Sequence, residues 1–150
     1  MTRFEEYKQQ LGQHTSEFVA ACKEVVRTPI PAGFDFGGLY YQVDERRMIP
    51  VSLSWITRDN RYGNAEACPF GRFEEVEWIW TDEDLDNCVH EDAEDYFFEW
   101  VSRCWIEAGG RDFSPLFVLA DHGTMELLDL NTLKELSDED IERRLSEERG

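Results

Sequence analysis

"FGGLYYQVDERRMIPVSLSW", residues 36–55, decides the fold. Leu39, Tyr41 and Val43 alternate with Tyr40, Gln42 and Asp44. After the polar turn Asp44-Glu45-Arg46-Arg47 the period returns, with Ile49, Val51, Leu53 and Trp55 alternating with Pro50, Ser52 and Ser54. A period of two puts one set on a buried face and the other on a polar face, which predicts two half-buried strands joined as a hairpin. Pro50 has no N–H to give to a ladder, so the second strand is expected either to lie at an edge or to begin at Val51.

Upstream, Phe4, Tyr7, Leu11, Phe18, Cys22 and Val25 recur at steps of three, four and seven, the spacing of one amphipathic helix from Phe4 to Val26. Thr28-Pro29-Ile30-Pro31 ends it, and Gly33, Gly37 and Gly38 extend the turn signal. Downstream, residues 57–71 read as a long loop containing Arg58 and Arg61, with Arg72 just beyond it. Val76, Trp78 and Trp80 alternate as a third strand. Thr81 then offers a hydroxyl cap to a turn opened by Asp82, Glu83 and Asp84, acids suited to the positive end of a helix. From about Glu91, Phe97, Trp100, Val101, Cys104, Trp105 and Ala108 define a second amphipathic helix that stops at Gly109-Gly110. LFVLA (116–120) and MELLDL (125–130) read as strands around the turn Asp121-His122-Gly123. The tail opens with a capping box, Ser137-x-x-Asp140, and reads as a mostly exposed helix. The expected fold is one α+β domain over residues 1–150. Its sheet is expected to be mainly antiparallel, of about five strands, with N-terminal, central and C-terminal helices packed mostly on one face.

Charge sets the functional question. The chain of 150 residues carries a formal charge of -18, yet it is 41% hydrophobic and 13% aromatic, a composition that folds rather than stays disordered. A chain of this length can bury roughly 70% of its unfolded surface, enough for a core without metal or disulfide staples. Such an acidic surface repels nucleic-acid phosphates and anionic lipid, so neither nucleic acid nor membrane is expected as a partner, and a basic protein is. Cys22, Cys68, Cys88 and Cys104 form no CxxC pair and read as buried thiols in a reducing compartment. The first residues carry Glu5 and Glu6 and no uninterrupted apolar core, and no apolar run is long enough to span a bilayer; the expected location is the cytoplasm.

No motif names a reaction. Cys88, His90, Glu91 and Asp92 are ligand types, but their spacing matches no HExxH, CxxC or EF-hand pattern, and a solvated acidic helix face explains them. Asp121-His122-Gly123 is accompanied by no nucleophile in an elbow context and suits a turn. Cys68 has no basic neighbour closer than Arg72 to hold a thiolate. The expectation is a non-enzymatic protein with no catalytic residue, no metal and no cofactor. The coherent feature is acidic: between Arg72 and Arg103 there are twelve Asp and Glu and no Lys or Arg. Solubility alone would account for it. Electrostatic steering toward a basic surface is the sharper reading, with Trp80, Asp82, Glu83, Asp84, Asp86, Glu91, Asp92, Asp95 and Tyr96 as partner-binding residues and Trp80 and Tyr96 as their aromatic contacts.

FGGLYYQVDERRMIPVSLSW, EVEWIWTDED (75–84) and FVLADHGTMELLDL (117–130), set between an N-terminal amphipathic helix and an acidic tail, resemble the small cytoplasmic immunity proteins of bacterial polymorphic toxin systems. The similarity lies in a tyrosine-bearing strand, a tryptophan-rich strand running into acids, and a final hairpin. The resemblance implies an inhibitor that neutralises a cognate toxin by occluding its active site or an exosite, with an acidic surface matched to a basic cleft. Two alternatives are a metal-dependent or hydrolytic enzyme with its site around His90, His122 and the carboxylates, and an adaptor subunit of a larger assembly. A homodimer paired through residues 49–55 also stays open.

Overall fold

The structure is a computed structural model that describes residues 2–42, 47–59, 64–66, 69–77, 79–87, 89–113 and 116–149, with the backbone path alone for 64–66, 89–92 and 148–149. The hairpin at its centre forms with the expected pairing, but its strands are buried on both faces instead of half-buried, with Ser54 0% exposed. Residues 43–46, which are Val43 and most of the expected turn, lie outside the described residues. Strands β1 (Phe36–Tyr41) and β2 (Val51–Ile56) pair antiparallel, Leu39 opposite Leu53 and Tyr41 opposite Val51. Strand β2 starts immediately after Pro50. Gly37 and Gly38 belong to β1 rather than to a turn. A Cβ on Gly38 would lie 2.5 Å from the Val118 carbonyl oxygen, and one on Gly37 2.8 Å from the Trp55 ring, so glycine is what lets neighbours close over this strand.

The remaining strands correct the expected sheet. A three-residue strand β3 (Asn64–Glu66) pairs antiparallel with the outer side of β2, inside the stretch expected to be loop. Strands β4 (Phe117–Asp121) and β5 (Glu126–Asp129) form the expected antiparallel hairpin, but β4 lies parallel to β1, with Leu119 beside Leu39. The order β3-β2-β1-β4-β5 therefore makes a mixed sheet, antiparallel at β3-β2, β2-β1 and β4-β5 but parallel at β1-β4. The helical crossover before β4 permits this arrangement, and every β4 residue is buried, as a central parallel strand requires. Because β3 pairs with Leu53, Ser54 and Trp55, that part of residues 49–55 is no free edge for a homodimer. Among the described residues of the expected strand at 76–80 there is no strand: Glu77 forms an isolated bridge with Arg47, and the Val76 carbonyl accepts the Met48 N–H at 2.9 Å. Trp78 lies outside the described residues.

Helices cover both faces. The first expected helix is two, α1 (Arg3–Gly12) and α2 (Thr15–Val26), separated by Gln13 and His14 just after Gly12, a poor helix former. The break keeps Tyr7 and Leu11 of one piece, and Phe18 and Cys22 of the other, in the same core. Helices α3 (Asp82–Asp86) and α4 (Val89–Glu107) follow, and α4 ends where Gly109 adopts a left-handed conformation, φ 92°. Leu39, Leu53, Trp55, Phe117 and Leu119 join α1, α2 and α4 in one core. Phe36, Ile56, Val118 and Leu127 point the other way and meet Ile141 and Leu145 of α5 (Asp138–Arg149). Those two α5 residues are 0% and 2% exposed, so the tail helix, mostly exposed along its other side chains, is docked through them. Arg58 to Glu142 at 3.1 Å and Arg144 to Asp129 at 2.6 Å tie it to the sheet. The α+β class holds, with the sheet as the middle of three layers. No helix among the described residues is long and apolar enough to cross a membrane.

Candidate partner-binding face

The acidic span begins at a helix cap. Thr81 accepts the Asp84 N–H at 3.2 Å while Asp84 accepts the Thr81 N–H at 2.9 Å, a reciprocal box that fixes the α3 start. Hydrogen bonding from the Thr81 backbone, then from its hydroxyl and from Arg3, holds the Asp84 carboxyl below its ordinary range despite partial desolvation. Arg3 reaches across from α1, with Nε 3.0 Å from Asp84 and other nitrogens bonded to Glu6 and to the Ile79 carbonyl. Asp84 is thus a structural acid. Asp82, Glu83 and Asp86 carry the outward charge of α3 and are exposed.

On α4, Asp95 and Glu99 are exposed and one turn apart, hence on one face. Glu94 turns inward and accepts the hydroxyl of buried Tyr41 at 3.1 Å; burial and that carboxylate both push the phenol upward. The side chains of Glu91 and Asp92, and those of Cys88 and His90, lie outside the described residues.

The two expected aromatic contacts part company. Trp80 is only 7% exposed and stacks on Tyr7 at 5.1 Å, so its indole belongs to the core and the acids after it form the surface. Tyr96 is half-buried, edge-on to Phe4 at 5.9 Å and to Tyr7 at 6.5 Å. Lys8 Nζ lies 5.1 Å from the Tyr96 ring centre and the Arg103 guanidinium 5.7 Å from it. Trp100 and Trp105 are interior, the first donating to Thr15 Oγ1 at 3.0 Å and the second stacked on Phe117 at 4.1 Å.

Helix α1 is the piece that sequence reasoning missed. Its Tyr7 touches both Trp80 and Tyr96, so α1 joins the α3 end of the acidic span to α4, and it brings Arg3 and Lys8 to a stretch that has no base of its own. The signal lay in the spacing of Arg3, Phe4, Tyr7 and Lys8 along that helix, but nothing local says which segment they meet.

The other candidates resolve into structure. Asp121 accepts the Gly123 N–H at 2.9 Å, and Tyr40 Oη lies 2.6 Å from His122 Nδ1, so this triplet builds the β4–β5 turn. Cys22 and Cys104 are buried free thiols, and Cys68 lies outside the described residues. Among the described residues no three His, Cys, Asp or Glu side chains converge as a metal site. No family model, curated protein or solved structure matches the chain.

Proposed function

We propose that this protein is a non-enzymatic binding protein that presents the acidic face of α3 and α4 to a basic protein. The most concrete form of this reading is an immunity protein that neutralises a cognate bacterial toxin, acting in the cytoplasm. The observation that carries it is the division of labour among the acids. Asp84 and Glu94 are spent on internal hydrogen bonds, while Asp82, Glu83, Asp86, Asp95 and Glu99 face outward beside α1. Charges placed this way raise the encounter rate with a cationic surface and respond to salt. Asp82→Asn/Glu83→Gln/Asp86→Asn/Asp95→Asn removes outward charge while sparing the Asp84 cap and the Glu94 bond to Tyr41. Wild type and variant are immobilised and exposed to a lysate of the source organism at low salt. A basic protein held by the wild type, released by salt and not held by the variant supports the reading; identical capture by both forms overturns it.

A further inference from the structure

We infer that α5 is a strap that undocks from the sheet as a unit, hinged at Leu136–Ser137, and bares an apolar face while the rest of the fold stays closed. Helices α2 and α5 are both 12 residues long, and the comparison between them carries the inference. Helix α2 buries five side chains, Phe18, Val19, Ala21, Cys22 and Val25. Among the described side chains of α5, Ile141 and Leu145 alone are buried. A helix of this length is marginal in water and owes its place to packing, so α5 is held more weakly than α2. Its ion pairs with the sheet add little. Arg58, Glu142 and Arg144 are 29–44% exposed and already screened by solvent. Asp129, the one buried member, regains water when the helix lifts.

The hinge is set by what comes just before the helix. The Leu136 N–H bonds the Leu127 carbonyl at 2.8 Å and Glu135 bridges Leu128, so the chain is pinned along β5 up to Leu136. From Ser137 onward the capping box with Asp140 and the Asp140–Arg143 pair are internal to the helix and travel with it. Opening at this joint breaks no hydrogen bond between strands. It uncovers Phe36, Ile56, Val118 and Leu127, all buried while α5 is in place. On the other face of the sheet, Phe97, Trp100, Val101 and Trp105 of α4 lie in a separate core that the movement does not touch. The closed molecule is coated with acids; the open one adds an apolar patch on the side of the sheet away from α4.

Native-state hydrogen exchange of the full-length protein tests the strap, read residue by residue in urea concentrations below the unfolding transition. Amides of α5 should share one opening, nearly independent of urea because it exposes little surface, and at least about tenfold more frequent than the opening that releases α4 amides. Val101→Ala weakens the core on the α4 side. It should speed α4 exchange by about tenfold and leave α5 exchange unchanged, because the strap opens with that core intact. Equal acceleration of both helices, or α5 amides that exchange only with the steep urea dependence of global unfolding, would overturn the strap. So would rates graded smoothly toward Arg149, the pattern of an end that frays. The urea series on wild type decides the matter by itself if the variant folds poorly.

Discussion

Two stretches of this chain begin a helix with nearly the same four residues, Thr81-Asp82-Glu83-Asp84 and Ser137-Asp138-Glu139-Asp140, and the structure uses them differently. Both form the same reciprocal box, with Asp84 N–H on Thr81 at 3.2 Å and Asp140 N–H on Ser137 at 3.1 Å. Helix α3 fully buries none of its residues; Leu85 packs partly against the core, and Arg3 arrives from α1 to bond Asp84. Helix α5 pairs Asp140 with its own Arg143 and is held by Ile141 and Leu145 against the sheet. An acidic cap determines where a helix starts; what packs beyond the cap determines whether its acids become a surface feature or a rim around a buried stripe.

The largest test of that difference is packing. Ile141→Ala should cost about 2–5 kcal/mol, because it leaves a cavity under a fully buried side chain. Leu85→Ala in α3, where the side chain is half-buried, should cost about 1 kcal/mol. Urea unfolding followed by tryptophan fluorescence separates the two, and equal losses would mean that α3 is docked as firmly as α5. Removing the caps comes next. Thr81→Ala and Ser137→Ala should each cost about 0.5–2 kcal/mol. Their functional effects should part: Thr81→Ala disorders the presentation of Asp82, Glu83 and Asp86 and should reduce low-salt capture of the basic protein, whereas Ser137→Ala should leave capture unchanged.

The same contrast marks how far the sequence could be read. The central hairpin was legible because alternation over residues 39–55 leaves one register that buries Leu39, Leu53 and Trp55 together. Both helix starts were legible, Thr81 as a hydroxyl cap and Ser137-x-x-Asp140 as a box, because a cap is complete within four residues. The parallel partner of β4 was not, since the apolar run at 116–120 states that a strand is buried on both faces without stating its neighbour. Nor was the docking of α5, whose two buried residues are too few to raise a periodic signal among its charges. At the candidate site, the exposed acids of α3 followed from their own sequence. The burial of Trp80 depended on Tyr7, and the cations Arg3 and Lys8 came from a helix far off in the chain.

The smallest effect is the most diagnostic, because it reads the two boxes through protons. Hydrogen bonds from Thr81 lower the Asp84 carboxyl and those from Ser137 lower Asp140, each against some desolvation. A carboxyl lowered in the folded state contributes stability that is present above its unfolded value, about 3.9, and is lost as pH falls through the lower folded value. Asp84→Asn and Asp140→Asn should therefore lower the urea midpoint at pH 6, and each gap to wild type should close as pH drops below about 4. A gap that persists at pH 3 would mean that the side chain acts through packing instead of charge. Salt then separates the boxes. The Asp140–Arg143 pair is 33% and 65% exposed, whereas Asp84 is 14% exposed beside Arg3 at 39%. Screening falls hardest on the more exposed pair. Raising salt at pH 6 should shrink the Asp140→Asn gap more than the Asp84→Asn gap, and the reverse order would remove Arg3 as the tie that holds the acidic face in place.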